Sequence, residues 1–380
     1  VIISDHHQPD NSLPPANCFL HSTATSGAGV AWIFTLFLLG TPALKLLDLA
    51  TIGVIGDMML LQGLNRTIAV HGLQALSNSK RPGLLSMKKA MGIEHKDLTT
   101  YDISFGLAPR INAAGRIYNP LDALRLLCTN DQKLADDLAR KIELHNQDRQ
   151  EYTDRALKIA TTQKVDHNII VLLGDYHEGV IGLVAGKLTE MYSRPAIVMS
   201  DNGKVIKGSA RSIPGVDITA LLRSLKTPFL GLGGHPQAAG FSLAKSQVTA
   251  MVKEIETLAD HLIASNDLVK KLSVDGILSL KQVTITLAKL ISTLEPFGLG
   301  NFKPRFLAYD LTVLEDRPLG TGGKHRKLFV EQNGISQEII WFNCTITHPI
   351  TFIKKLVFTP EINIWRDRES LQLNAQYVET

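Results

Sequence analysis

Val1-Ile2-Ile3-Ser4-Asp5-His6-His7 opens the chain. The short apolar run fits a buried parallel strand, and it gives way at once to a carboxylate and two imidazoles. Polar ligands at the carboxyl end of a buried strand mark where open α/β sheets place their sites. Neither an initiator Met nor a signal-peptide pattern precedes the strand. The chain is therefore expected to begin in mid-domain, with the segment that completes the sheet lying upstream.

Working outward, short apolar runs alternate with helical stretches from Val1 to about Cys128, as in a parallel sheet covered by helices on both faces. Leu49–Ile55 reads as a second strand, ending in Gly56-Asp57. Gly27–Leu47 is the most apolar stretch, and it reads as a buried helix followed by a second helix start. Its longest apolar run, from Ala28 to Leu39, is far short of the ~20 residues a membrane span needs, so no span is expected.

Asp131–Thr162 carries Leu134, Leu138, Ile142 and Ala156 at helical spacing and contains neither Pro nor Gly. It reads as a long helix joining two domains, the alternative being a solvated surface helix of one domain. A second α/β pattern follows, with strands at Ile169–Leu173, Ala196–Met199 and Phe241–Leu243 and a helix from near Val180. Helical residues Ile285–Leu294 lead to the turn Phe297-Gly298-Leu299-Gly300-Asn301. Beyond Pro304 come about five short strands: Phe306–Val313, Lys327–Glu331, Glu338–Trp341, Lys355–Phe358 and Leu371–Val378. They suit a small barrel of the OB type. The expected domain limits are 1–130, 131–163 (linking helix), 164–268, 269–303 (helical connector) and 304–380.

A length of 380 residues implies two or three domains. Hydrophobic residues at 44% and charged residues at 20% exclude a disordered chain. A net charge of +4 and a pI near 8.8 are compatible with a polyanionic partner without identifying one. Cys18, Cys128 and Cys344 are too few and too scattered for a disulfide framework or a zinc pattern, so a reducing cytoplasm is expected.

Several stretches carry chemistry. Asp5-His6-His7 combines carboxylate and imidazole, a mixture suited to Mn²⁺ or Mg²⁺, although a polar loop would look the same. Asp57 ends an apolar run and reads as a ligand or a helix cap. Pro109–Arg116 places Arg110, Asn112 and Arg116 around a small-residue turn that could clamp a phosphate, or end a helix with two surface arginines. Gly231–Gly240 is the densest glycine cluster, and Gly233, Gly234 and His235 would bring backbone N–H groups and an imidazole to an anionic oxygen. Gly208–Ser212 reads as another small-residue turn, with Arg211 and Ser212 suited to a phosphate. Tyr176–Val180 precedes a helix and fits a cap as well as a site.

Together these segments resemble the DHH phosphoesterase superfamily, and within it the RecJ family. Asp5-His6-His7 is similar to the superfamily's name-giving motif, Gly56-Asp57 to a later aspartate motif, and Arg110–Arg116 to an Arg-x-Asn-Ala-Ala-Gly-Arg signature. Gly233–Gly240 resembles the signature of the DHH-associated domain, which carries nucleic-acid contacts in the family. His177–Gly182, Gly208–Ser212, Asn146–Arg149 and Pro296–Asn301 are further matches, so the resemblance runs along nearly the whole chain in the family's order.

The resemblance implies an α/β protein with a parallel-sheet DHH domain incomplete at its N-terminus. A long helix joins it to a second α/β DHH-associated domain, and an OB-type barrel follows. It implies a 5′→3′ exonuclease that hydrolyses single-stranded DNA to mononucleotides in repair and recombination, using two Mn²⁺ or Mg²⁺ ions. Asp5, His6, His7 and Asp57 would be the catalytic residues, with His6, His7 and Asp57 toward metal. A first motif with a pair of aspartates and a further single aspartate precede the triplet in the family and are not in this sequence, so the chain alone is expected to bind nucleic acid and to cleave poorly or not at all. The rival readings are a phosphodiesterase for short oligonucleotides or cyclic dinucleotides, and an inactive single-strand-binding scaffold. Lys324-His325-Arg326-Lys327 with Phe329, Trp341, Phe342 and Trp365 would give the barrel a charged track with one or two exposed stacking rings. The protein is expected to act as a monomer, with a single-strand-binding protein and a helicase as possible partners.

Overall fold

The structure is a computed structural model describing residues 1–7, 14–201, 203, 205–344, 346, 348–366 and 368–380. The Trp365 side chain lies outside the described residues. Contacts group the chain into two units. Val1–Ser79, Lys96–Phe105 and Leu272–Thr380 form the first, and Lys80–His95 with Gly106–Lys271 the second.

In the first unit β1 (Ile2–Asp5) pairs in parallel with β2 (Cys18–His21), placing Asp5 opposite His21. α1 (Gly27–Leu39) follows, capped by Ser26, whose hydroxyl accepts the Gly29 N–H at 3.2 Å. Then come α2 (Leu47–Gly56) and α3 (Gly63–Ser77).

Leu49–Ile55 is thus helix, not strand. The run is apolar on every side, so it carries no period that separates a buried strand from a buried helix. Its one glycine serves helix packing: a Cβ on Gly53 would lie 2.3 Å from the Ala28 Cβ. Among the described residues the sheet at this end of the chain is one parallel strand pair, β1 with β2, accompanied by helices. Nor is α1 buried throughout, since Phe37 is 86% exposed and Leu38 and Leu39 lie open.

The second unit begins with α4 (Pro82–Ala90), α5 (Ala108–Ile117), α6 (Leu121–Cys128) and α7 (Gln132–Ala160). The Asp131 carboxylate starts α7 by accepting the Lys133 and Leu134 N–H groups. Arg110–Arg116 is helix rather than turn, because Ala113 and Ala114 are fully buried in α5, which packs on α7.

β3 (Ile170–Gly174), α8 (Ile181–Tyr192), β4 (Ala196–Ser200), β5 (Val205–Arg211), α9 (Ile218–Arg223), β6 (Gly231–His235), β7 (Ala238–Ala244) and α10 (Val248–Leu262) complete this unit. The sheet order is β3-β4-β5-β7-β6, with β3 and β4 parallel and the other pairs antiparallel. One face packs Ile197, Met199, Ile206 and Leu243 with residues of α9 and α10, and the other packs Ala196 and Val198 with Val184 and Leu188 of α8.

Gly208–Ser212 is mostly strand β5, not a turn. Ile206, Gly208 and Ala210 point into the core while Lys207, Ser209 and Arg211 face the other way.

The first unit resumes with β8 (Gly276–Ile277) and α11 (Ile285–Ser292). β9 (Phe306–Leu319), β10 (His325–Gln332), β11 (Ile335–Trp341), β12 (Phe352–Trp365) and β13 (Arg368–Glu379) then close in the order β9-β10-β11-β13-β12-β9. These are the five expected strands, and closure removes their free edges. Leu280 and Val283 sit in the barrel core beside Leu328 and Phe358, so its packing begins ahead of Pro304.

Candidate metal centre and phosphate-binding surface

Within the first unit, β1 delivers Asp5, His6 and His7 to one sheet end. Potential donor atoms of all three lie within 4.8 Å of one another. Asp5 Oδ1 accepts the His6 N–H at 2.8 Å and stands 2.8 Å from His7 Nδ1. The His7 contact, then these backbone bonds, hold the Asp5 carboxyl at a pKa of about 2, so it stays ionised at neutral pH. His7 is exposed, and its carbonyl meets His21 Nε2 at 2.6 Å.

Asp57 joins from the end of α2, its N–H returned to the Gly53 carbonyl and its Oδ2 only 2.9 Å from His6 Nε2. Two neighbouring donors on one octahedral ion with bonds of ~2.1 Å lie about 3 Å apart. The His6–Asp57 spacing therefore fits a shared hard cation, as does the mixed donor set. Gly27 makes room for this ring, since a Cβ there would sit 3.1 Å from His6 Nδ1.

The second unit gathers a different set. Arg110 is held by Glu143, with Nε at 2.5 Å and Nη2 at 3.2 Å from its carboxylate oxygens, and donates to the Gly106 carbonyl. Arg116, Arg149 and Arg211 have only neutral acceptors among the described residues: the Gly179 carbonyl for Arg116, the Asn146 side chain for Arg149, and the Ala210 carbonyl and Ser209 hydroxyl for Arg211. Burial lowers the pKa of all three, and the Arg116 charge lowers those of Arg149 and Arg211 further. Asp154 offsets the shift of Arg149 in part. Partly desolvated guanidinium groups that repel one another, with no carboxylate hydrogen-bonded to them among the described residues, have the chemistry to take a strong anion.

The first turn of α8 reaches this cluster at Gly182, where a Cβ would stand 3.0 Å from Ser209 Oγ and 3.2 Å from Arg211 Nη2. In the sequence Asn146–Arg149 stood out only as a further match to the family, with no role attached to Arg149. The Asn146 bond across one turn shows how its guanidinium is held.

Arg211, Ala238 and His235 stand in one cross-strand row of the sheet, with Ser209, Gly240 and Gly233 in the row two residues along. Side chains in register share a face. Gly233 and Gly240 leave open space above that face, giving a shallow trough bounded by Ser209 and Arg211 on one side and His235 on the other. Asn112 is exposed on α5, whereas Ser212 donates its hydroxyl to the Val216 carbonyl at 2.6 Å and shapes a turn.

Gly234 does a separate job. Its φ is +148°, and a Cβ would meet the Ala238 carbonyl oxygen at 2.3 Å. Gly234→Ala is expected to cost about 1–3 kcal/mol of stability, while Gly233→Ala, facing open space, leaves stability near the parent's and weakens strand binding. Thermal unfolding beside oligonucleotide binding separates the two, and equal loss of stability in both variants would contradict the assignment.

On the barrel, Arg326 is buried against Asp316, and Lys327 pairs with Glu338 at 2.6 Å. The expected charged track is thus reduced to Lys324 and His325. Phe342 is exposed, and Phe329 lies under Lys327 and Arg317.

Strand-end carboxylate and imidazoles, a glycine-punctuated α/β sheet and an OB barrel are together the features of the DHH class. Residues 166–260 match the DHHA1 domain model and residues 274–377 the RecJ OB domain model. The chain belongs to the RecJ family. It is 32% identical to the single-stranded-DNA-specific exonuclease RecJ of Bacillus subtilis over 98% of this chain and 50% of that protein. It is 30% identical to the Haemophilus influenzae RecJ over 100% of this chain and 73% of that protein. The crystal structure of Thermus thermophilus RecJ in complex with Mn²⁺ superposes with a TM-score of 0.88 at 28% identity, covering 100% of this chain and 58% of that one. The chain therefore spans about half the length of the Bacillus relative. Among the described residues no helix is long and apolar enough to cross a membrane.

Proposed function

We propose that this chain forms the metal-binding and strand-holding part of a 5′→3′ exonuclease that hydrolyses single-stranded DNA to mononucleotides. The observation that carries the reading is the approach of His6 Nε2 to Asp57 Oδ2 at 2.9 Å, a donor pair assembled from two distant segments. Asp5, His6 and Asp57 would hold Mn²⁺ or Mg²⁺, and His7 would fix Asp5. Such ions, when bound, polarise the phosphoryl group and acidify a water. Arg116, Arg149 and Arg211 bind and orient a phosphate of the strand, and the Gly233–Gly240 trough lets the backbone lie close.

The reading extends to a monomer in the cytoplasm, acting in repair and recombination. A helicase and a single-strand-binding protein are the partner classes the substrate calls for, since duplex must be opened and the freed strand kept extended.

The test is Mn²⁺-dependent digestion of a long 5′-labelled single strand, beside the matching duplex, by the complete protein. Labelled mononucleotide released from the single strand alone is the expected result. Turnover confined to two- to five-nucleotide substrates would favour the short-oligonucleotide phosphodiesterase, and tight binding without cleavage would favour the scaffold.

A further inference from the structure

Tyr118 follows α5 two residues after Arg116, in extended backbone, with its side chain 44% exposed. Its ring is nevertheless fixed in two ways. One face lies on the His145 imidazole, with centroids 3.7 Å apart and planes 16° from parallel. The hydroxyl donates to Asp148 Oδ2 at 2.5 Å. His145 is itself only 5% exposed, so the stack is backed by the body of the second unit.

Such an arrangement leaves one aromatic face open and holds it rigidly, beside Arg116 in the chain and beside Arg149, the neighbour of Asp148. Tyr152, one turn further along α7, lies near enough to bear electrostatically on the Tyr118 hydroxyl, and its ring stacks on His177 at 5.3 Å. His177 accepts the Gly179 N–H at 3.0 Å, and Gly179 supplies the carbonyl nearest Arg116. Aromatic rings therefore border the arginine cluster on the Arg116–Arg149 side. The Asp148 bond raises the Tyr118 pKa, so the phenol stays protonated and the tether holds at neutral pH.

We infer that the open face of Tyr118 stacks the base of the 5′-terminal nucleotide whose phosphate the arginine cluster holds, making Tyr118 a base-binding residue that accepts any base. The inference rests on the proposed phosphate-binding role of Arg116, Arg149 and Arg211. Every base offers a π-face, so a ring held this way adds affinity without sequence preference. An exposed tyrosine needed only to close the end of α5 would not require a buried imidazole behind it and a carboxylate fixing its rotation.

The experiment uses the complete protein without divalent metal and measures binding of three single strands of one sequence: 5′-phosphorylated, 5′-hydroxyl, and 5′-phosphorylated with an abasic terminal nucleotide. The parent should bind the abasic strand about tenfold more weakly than the intact one. Tyr118→Leu, which still covers His145, should lose about that factor on the intact strand and become indifferent to the missing base. Tyr118→Phe keeps the ring and should retain most of the discrimination, and melting temperatures establish that both variants fold. If Tyr118→Leu discriminates against the abasic strand as the parent does, the stacking role is overturned while the phosphate reading stands. If removal of the 5′-phosphate changes nothing but the abasic penalty follows Tyr118, the phosphate reading fails and the stacking role stands.

Discussion

Asp57→Asn and His6→Ala are each expected to lower single-strand hydrolysis by about 10³-fold, the equivalent of ~4 kcal/mol of transition-state stabilisation. Strand binding should change little. Asp57→Asn keeps shape and hydrogen-bonding reach but removes the anionic oxygen that stands 2.9 Å from His6 Nε2, and a hard cation favours a carboxylate over a neutral amide there. His6→Ala removes the imidazole that links the β1 end to α2. His7 differs, because its Nδ1 is engaged with Asp5. Its replacement by Ala should cost about 10- to 100-fold, as expected for a group that orients a ligand. Rates in the complete protein should be read beside Mn²⁺ affinity followed by electron paramagnetic resonance. The assignment fails if Asp57→Asn binds Mn²⁺ like the parent, or if His7→Ala is the most damaging of the three.

Much of this arrangement was legible in the residues, and the exceptions have definite physical causes. The barrel strands alternate polar and apolar residues between turns, and alternation of period two has no helical counterpart. The long helix also announced itself, because an apolar stripe uninterrupted by Gly or Pro has one regular solution. Leu49–Ile55 failed because a helix apolar on all sides shows no stripe. β5 failed for a different reason, since Gly208 suggested a turn. In the fold a Cβ on Gly208 would lie 2.1 Å from the Phe241 ring, so the glycine marks an aromatic packed across the strand, not a reversal of the chain. Arg110–Arg116 misled in the same way. Its small residues, placed to let α5 lie against α7, resemble those of a loop that admits a ligand.

The site divides along similar lines. Asp5, His6 and His7 could be seen because they interrupt an apolar strand. That Asp57 meets His6 depends on α2 being helical and ending at that residue, which no local signal supplies. Arg110 and Arg116 looked equivalent in sequence, yet one is neutralised by Glu143 and the other is not. Carboxylates from distant segments decide which arginines are available, and spacing along the chain does not reveal them.

That division gives the second large effect. Arg116→Ala should weaken binding of a 5′-phosphorylated single strand by about 10²-fold, near the 2–5 kcal/mol associated with truncating one partner of a desolvated charge pair. Binding of the 5′-hydroxyl strand should fall much less, since its terminal oxygen carries no charge for the cluster to meet. The salt dependence should also flatten, with the slope of log K against log salt falling by roughly 0.7 for each single-strand phosphate contact removed. Arg211→Ala should behave in the same way, because among the described residues its Nη1 has only the Ala210 carbonyl and the Ser209 hydroxyl to satisfy it. Arg110→Ala is the contrasting variant: it strands the Glu143 carboxylate and breaks the tie between α5 and α7, so its main loss should be in thermal stability. Anisotropy titrations at three salt concentrations with both strands separate these cases. A uniform loss for phosphorylated and unphosphorylated strands in Arg116→Ala would mean that the arginine attracts the backbone in general and does not hold the terminal phosphate.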